Sequence, residues 1–247
     1  MSEPAIEVRG LRFRYRSSPR WVLDGIDLTV ERGSRSLVIG ANGAGKTTFL
    51  RVLAGKHMVD RDAVRVLGAS AFHDTELAGR VEFLGANFPF AVDLRVGELI
   101  EHQIGIDPAR MERLVELLDI DRDWHMHAVS DGQRRRVQLL LGLMRPRDVL
   151  FLDEATTDLD LLARAELLDF LKHESEARGS TILYATHIFD ALDEWATHLV
   201  YLVGGKVRVA ARLDELAELK AMEREGRRSA PLFHLVEAWL RRDTPRR

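Results

Sequence analysis

The chain has 247 residues, enough for one large domain or two small ones and for a sizeable buried core. Its 46% hydrophobic and 30% charged residues are ordinary for a globular protein, and 36 Lys+Arg against 39 Asp+Glu give a formal charge of −3. That balance excludes attachment to nucleic acid by bulk charge and leaves only a local basic patch open; the lack of cysteine excludes disulfides, thiolate zinc sites and thiol catalysis.

The first residues, MSEPAIEVRG, lack the basic start and apolar stretch of a signal peptide. No apolar run approaches the roughly 20 residues that span a bilayer. The expectation is a cytoplasmic protein without membrane insertion of its own. IEVRGLRFRY alternates as a strand does, and WVLDGIDLTV follows as a second, closed by the turn ERGS. RSLVIG is a short buried strand before a glycine-rich loop, and KTTFLRVLAG is helical. From about 93 to 145 the character changes to helices: VGELIEHQI and DPARMERLVELLDI have apolar residues at i, i+3, i+4 spacing, and Pro108 suits a helix start. DVLFLDE and STILYATH are further buried strands, separated by the helical LLARAELLDFLKHESEARG. HLVYLVGGKVRV predicts a hairpin turning at Gly204-Gly205, and the tail from Leu213 predicts two helices around EGRRSAP. Strands alternating with helices predict an α/β core around a mainly parallel sheet.

Within that pattern, Gly40, Ala41, Asn42, Gly43, Ala44, Gly45, Lys46, Thr47 and Thr48 fit G-x-x-x-x-G-K-[ST]. The motif stands after a strand and opens a helix, as a phosphate-binding loop must. The glycines let the backbone wrap phosphates, and the helix N-terminus offers N–H groups and positive dipole. Lys46 is expected to reach the β- and γ-phosphates, and the Thr47 hydroxyl to hold Mg²⁺. In LFLDEATTDLD, Asp153 ends a strand, positioned to bind Mg²⁺, and Glu154 is the expected general base for the attacking water. His187 ends the next strand, where a side chain could meet the γ-phosphate; taken alone, a histidine there is structural more often than not.

HAVSDGQRRRVQLLLGLMRP sets three arginines between a polar turn and an apolar run. A basic patch, a plain capped helix and half of an active site all fit it. The phosphate loop, VSDGQRRR, LFLDEATTDLD and YATH, in this order, resemble the ATP-binding cassette (ABC) ATPases, and the resemblance spans roughly residues 6–209. It implies a P-loop NTPase fold of that type: a mainly parallel core sheet, an antiparallel N-terminal β subdomain and an inserted helical subdomain at about 87–145, all within 1–212. A C-terminal helical extension, 213–247, follows. It also implies ATP and Mg²⁺ as ligands, ATP hydrolysis, and a head-to-tail dimer with a second copy or a related cassette. By the resemblance, Ser130, Gly132 and Gln133 bind ATP on the partner's loop, Tyr15 stacks on adenine from an early strand, Asp160 faces the partner subunit and His187 is the γ-phosphate switch. A sheet-face role for Tyr15 stays open. The three arginines would then add positive field, some of them on a solvated face.

Departures from the family pattern are Val129 for Leu and Asp131 for Gly in the signature, Ala155 for Pro, and Asp158 where a small residue is usual. In VEFLGANFPF, Ala86 takes the place of a Gln that touches Mg²⁺ and links to the membrane subunit, with Asn87 beside it. These departures are similar to those of a small subgroup of soluble single-cassette ABC proteins, present in fungi and plants, whose fungal members are linked to an mRNA-deadenylating, transcription-regulatory complex. Three functions follow as expectations. The first is a soluble dimeric ATPase, the second an energy-coupling subunit of a membrane transporter, the third an ATP-gated binding switch. For the third, the apolar stripe Leu232, Leu235, Val236, Trp239 and Leu240 is either a docking surface for a protein partner or packing against the chain itself. Nucleic acid is the weakest partner class.

Overall fold

The computed structural model describes residues 3–85, 93–189, 191–224 and 230–243. Among these residues two sheets form. A six-stranded sheet has the order β10-β9-β3-β8-β7-β6, where β3 is Arg35–Ile39, β6 Val81–Leu84, β7 Val149–Asp153, β8 Thr181–Ala185, β9 His198–Val203 and β10 Lys206–Arg212. All its neighbours pair in parallel except β9 and β10, the hairpin predicted at Gly204-Gly205. A four-stranded antiparallel sheet has the order β2-β1-β4-β5, from β1 (Ile6–Phe13), β2 (Leu23–Val30), β4 (Val64–Val66) and β5 (Ala69–Ser70).

The central strands are buried on both faces, so they read as unbroken apolar runs. Successive residues divide between two cores, because strand side chains alternate. Leu150, Leu152, Ile182, Tyr184, Leu199 and Tyr201 face the helices. Val149, Phe151, Leu183, Ala185, Val200 and Leu202 face α1 (Lys46–Leu53) and the antiparallel sheet. Among the described residues, three helices lie between β6 and β7: α2 (Val96–Glu101), α3 (Pro108–Leu117) and α4 (Asp131–Leu143). Pro108 opens α3 as expected, and Asp107 caps it by accepting from the Ala109 N–H at 3.0 Å.

A buried ion pair joins this insertion to α5 (Leu161–Arg178). Arg110 donates to both oxygens of Glu174 at 2.7 and 2.8 Å, donates to the Leu143 carbonyl at 2.8 Å, and lies over the Phe170 ring. Helix α5 ends at Gly179, whose φ of 71° is the left-handed turn that glycine adopts without strain. Beyond a short helix α6 (Leu192–Trp195), the tail forms α7 (Ala217–Arg224) and α8 (Pro231–Asp243). The apolar stripe weighed as a docking surface is turned inward. Leu232, Leu235, Val236 and Trp239 are buried in the helix-side core with Leu213, Leu216 and Leu219, and Trp239 stacks on Tyr201 at 5.2 Å. Most of that stripe therefore packs on its own chain, with Leu240 only partly covered. Short elements between 54 and 85 carried too few residues to show a period: β4, β5 and β6 have three, two and four.

Candidate active site

The glycine-rich loop runs from the end of β3 into α1, under the hairpin turn. Gly40 has a φ of 157°, and a Cβ there would lie 2.5 Å from the Leu202 carbonyl oxygen. Gly45, the residue before α1, has a φ of 102°, and no side chain caps the helix. The first N–H groups of α1 are thereby left for an anion. The Gly205 N–H donates to the Ala44 carbonyl at 3.2 Å, fixing the loop to the hairpin. Lys46 folds back on the loop, its ammonium donating to the Gly40 carbonyl at 2.8 Å. Burial pulls the Lys46 ammonium below its ordinary value, opposed by the charges of Glu154 and Asp153.

The acid pair stands at the end of β7, beside the loop. Thr47 donates from its hydroxyl to Asp153 Oδ1 at 3.2 Å. Burial raises the Asp153 carboxyl above the usual carboxylate range, Glu154 adds to the rise, and the Thr47 hydrogen bond opposes it. Two hard oxygen donors side by side, one a buried carboxylate, fit a Mg²⁺ ion. Bound there, the ion would neutralise charge on the phosphates. Glu154 adopts a φ of 53°, a left-handed conformation that costs a non-glycine residue on the order of 1 kcal/mol or more. Its Oε2 lies 2.9 Å from Nδ1 of His187 yet makes no hydrogen bond, leaving a buried acceptor open. The structure thus brings Gly40, Lys46, Thr47, Asp153, Glu154 and His187 into one region at the C-terminal ends of parallel strands.

Tyr15 lies two residues past the end of β1 rather than on it. Its hydroxyl is 3.0 Å from the Thr48 hydroxyl, and its ring meets Phe13 and His57 edge-on. Ser130, Gly132 and Gln133 stand apart from this loop, at the start of α4. Ser130 Oγ accepts from the Gln133 N–H at 3.2 Å and Gln133 Oε1 from the Ser130 N–H at 2.9 Å, a reciprocal cap. Asp160 caps α5 by accepting from the Ala163 N–H at 3.0 Å, which holds its carboxyl below the usual range, and it pairs with Arg136 at 2.9 Å. The positions Ala86 and Asn87 lie outside the described residues.

Arg135 corrects the expectation that the three arginines supply field or face solvent. It is buried, and its guanidinium donates to the carbonyls of Asp153 at 3.1 Å, Glu154 at 3.0 Å and Ala155 at 3.3 Å, and to Gly85 O and Gln138 Oε1. Arg136 is tied to Asp119 and Asp160. The local charge that suggested nucleic acid is therefore engaged within the chain. The signal for Arg135 was its spacing: it shares the buried face of α4 with Gln138 and Leu139, at i+3 and i+4.

A family profile described as "ABC transporter" matches residues 23–157. The chain belongs to the ABC transporter family. It is an ATP-binding cassette and an ATP hydrolase of that type. It is 49% identical to ABC transporter I family member 21 of Arabidopsis thaliana, over 97% of this chain and 87% of that protein. It is 42% identical to CCR4-associated factor 16 of Saccharomyces cerevisiae, over 84% of this chain and 78% of that one. The solved ATP-binding subunit of an ABC transporter superposes with a TM-score of 0.77 at 24% identity, covering 96% of this cassette and 99% of that chain, a likeness of fold. Among the described residues of the cassette, no helix is long and apolar enough to cross a membrane.

Proposed function

We propose that two copies of this cassette close head to tail on two ATP·Mg²⁺ and hydrolyse them without a membrane subunit. Lys46 and the amides of 40–48 hold the phosphates, Thr47 and Asp153 hold the metal, and Tyr15 packs against adenine. Glu154 takes the proton from water, His187 holds the γ-phosphate, and Asp160 lies at the subunit boundary. Ser130, Gly132 and Gln133 cap the ATP of the other copy. The observation that carries this reading is the separation of two half-sites in one chain. Thr47 meets Asp153 and His187 faces Glu154, while Ser130 and Gln133 cap each other's backbone at the start of α4.

A second copy is further supported by Leu161 and Leu162. They directly follow Asp160 and are 69% and 74% exposed, an apolar pair that a partner would cover. The Saccharomyces relative is named for an association with CCR4, which favours a protein partner over a channel. The Arabidopsis relative's name favours the second reading, a transporter's coupling subunit.

The test is ATP turnover per subunit against protein concentration, with Glu154→Gln beside it. Self-sufficient catalysis predicts turnover that rises with concentration, is lost in Leu161→Glu/Leu162→Glu, and falls by about 10²-fold or more in Glu154→Gln. Turnover independent of concentration and unaffected by the leucine pair overturns the dimer. Absence of turnover until a membrane partner is added favours the transporter reading.

A further inference from the structure

Sequence and backbone bring Asp93, His125 and His127 together, away from the phosphate loop. His125 and His127 are separated by one residue where the chain turns, the Ala128 N–H donating back to the His125 carbonyl at 2.9 Å. The stretch leading into that turn bridges antiparallel to the one entering α2: Arg95 pairs with His125, the Val96 N–H donates to the Trp124 carbonyl at 2.9 Å, and the Met126 N–H to the Leu94 carbonyl at 3.0 Å. The bridge and the turn that follows it bring His125 and His127 beside Asp93, two residues before Arg95. Both imidazoles turn the same nitrogen to the same oxygen, His125 Nδ1 at 3.0 Å and His127 Nδ1 at 2.6 Å from Asp93 Oδ1. One ligand atom from each residue lies within 4.8 Å of the others, and all three side chains are exposed.

We propose that Asp93, His125 and His127 form a binding site for one late first-row divalent ion of the zinc class. Two imidazoles and a carboxylate are donors that suit zinc rather than magnesium, and three protein ligands at an exposed place leave the remaining positions to water. The backbone bridge presents the donors together before any ion arrives, which removes much of the ordering that a flexible site would need. The ion would fasten the segment entering α2 to the one that leads, three residues after His127, to Ser130. It would thus brace the approach to the signature helix. The site stands independently of the dimer reading.

The test is zinc binding to the full chain, purified without a histidine tag and without nucleotide, by competition with a chromophoric zinc indicator in millimolar Mg²⁺. The expected result is one Zn²⁺ per chain, with affinity about tenfold or more weaker in Asp93→Asn and in His127→Gln, and no binding at this site in His125→Gln/His127→Gln. Zinc should also raise the melting temperature of the unaltered chain and not of the double variant. Because the three side chains are exposed, the variants should melt as the unaltered chain does in the absence of zinc. No binding, or equal affinity in all variants, overturns the proposal and leaves the trio as a carboxylate accepting hydrogen bonds from two imidazoles.

Discussion

The guanidinium of Arg135 donates to the main-chain carbonyl of Glu154 at 3.0 Å, so the helix that opens with Ser130 also grips the backbone of the expected general base. The same side chain holds the carbonyls of Asp153 and Ala155, and its partner Gln138 joins it on the carbonyl of Gly85. Burial pulls the Arg135 guanidinium below its ordinary value, while Asp158, Tyr184, Asp153 and Glu154 oppose the shift. A fixed cation under these carbonyls helps keep Glu154 at its positive φ. In the proposed dimer this makes α4 a direct link between the ATP it caps and the water-activating residue of its own subunit.

Arg135→Met is therefore expected to leave ATP affinity within a few-fold and to lower turnover by about 10²-fold, the scale of a 1 Å misplacement of a catalytic group. Single-turnover hydrolysis beside equilibrium nucleotide binding checks it. Parallel loss of both would show only a damaged fold. Arg135→Lys should recover little, since one ammonium cannot serve carbonyls spread across a guanidinium's fork.

Asp153 gives a stability prediction with a defined sign. Its folded-state carboxyl is raised by burial, so the ionised form is penalised in the fold. The penalty is fully present above the folded value and vanishes as pH falls below the unfolded one. Without nucleotide and metal, Asp153→Asn should melt higher than the unaltered chain at neutral pH. The gain should shrink as pH is lowered through the acid range. Thermal unfolding from pH 7 to pH 4 measures this; a gain that grows with acidity contradicts the assignment. The same variant should hydrolyse ATP poorly, because it loses the charge for the metal.

Long apolar strands and periodic helices were legible because period and burial act within one segment. β3, β7 and β8 are runs buried on both faces, and α3 announced itself by its apolar spacing and Pro108. The phosphate loop and the acid pair were legible for the same local reason. Arg135 was not, because its role depends on carbonyls 18 to 20 residues away and on Gly85, 50 residues away. Nor could the tail's direction be read: an amphipathic stripe such as that of α8 fixes that a face is covered, not by what. The placement of Tyr201, Leu213, Leu216 and Leu219 decides it.

The pair Arg110–Glu174 links α3 to α5 where both side chains are almost fully buried, at 6% and 2% exposure. Removing one partner leaves the other charged group unpaired in the interior. Glu174→Ala is expected to lower the unfolding free energy by roughly 3–5 kcal/mol, measured by chemical denaturation. A double change of Arg110 and Glu174 to apolar residues of similar volume should recover much of that loss. A double variant as unstable as the single one would show that the packing around Phe170, rather than the charge pair, carries the stability.

Trp239 ties α8 to the core sheet and, through it, to the active site. The Tyr201 hydroxyl donates to the Trp239 carbonyl at 3.1 Å, and burial and Asp243 push that phenol's pKa up to about 12, so the donor persists through any ordinary pH. On its other side α8 walls a cavity of about 400 Å³ with Phe233, Val236 and Leu240, whose opposite lining is Ile39, Gly40, Thr186 and His187. Detaching the helix would thus open one flank of Gly40 and of His187. Trp239→Ala is expected to destabilise the chain by roughly 3–5 kcal/mol, as for other buried aromatic truncations. At a temperature where the variant remains folded, its turnover should fall more than its ATP affinity, since His187 loses its backing while Lys46 and the loop amides keep theirs. Equal turnover per folded molecule in the two proteins would confine α8 to a purely structural part.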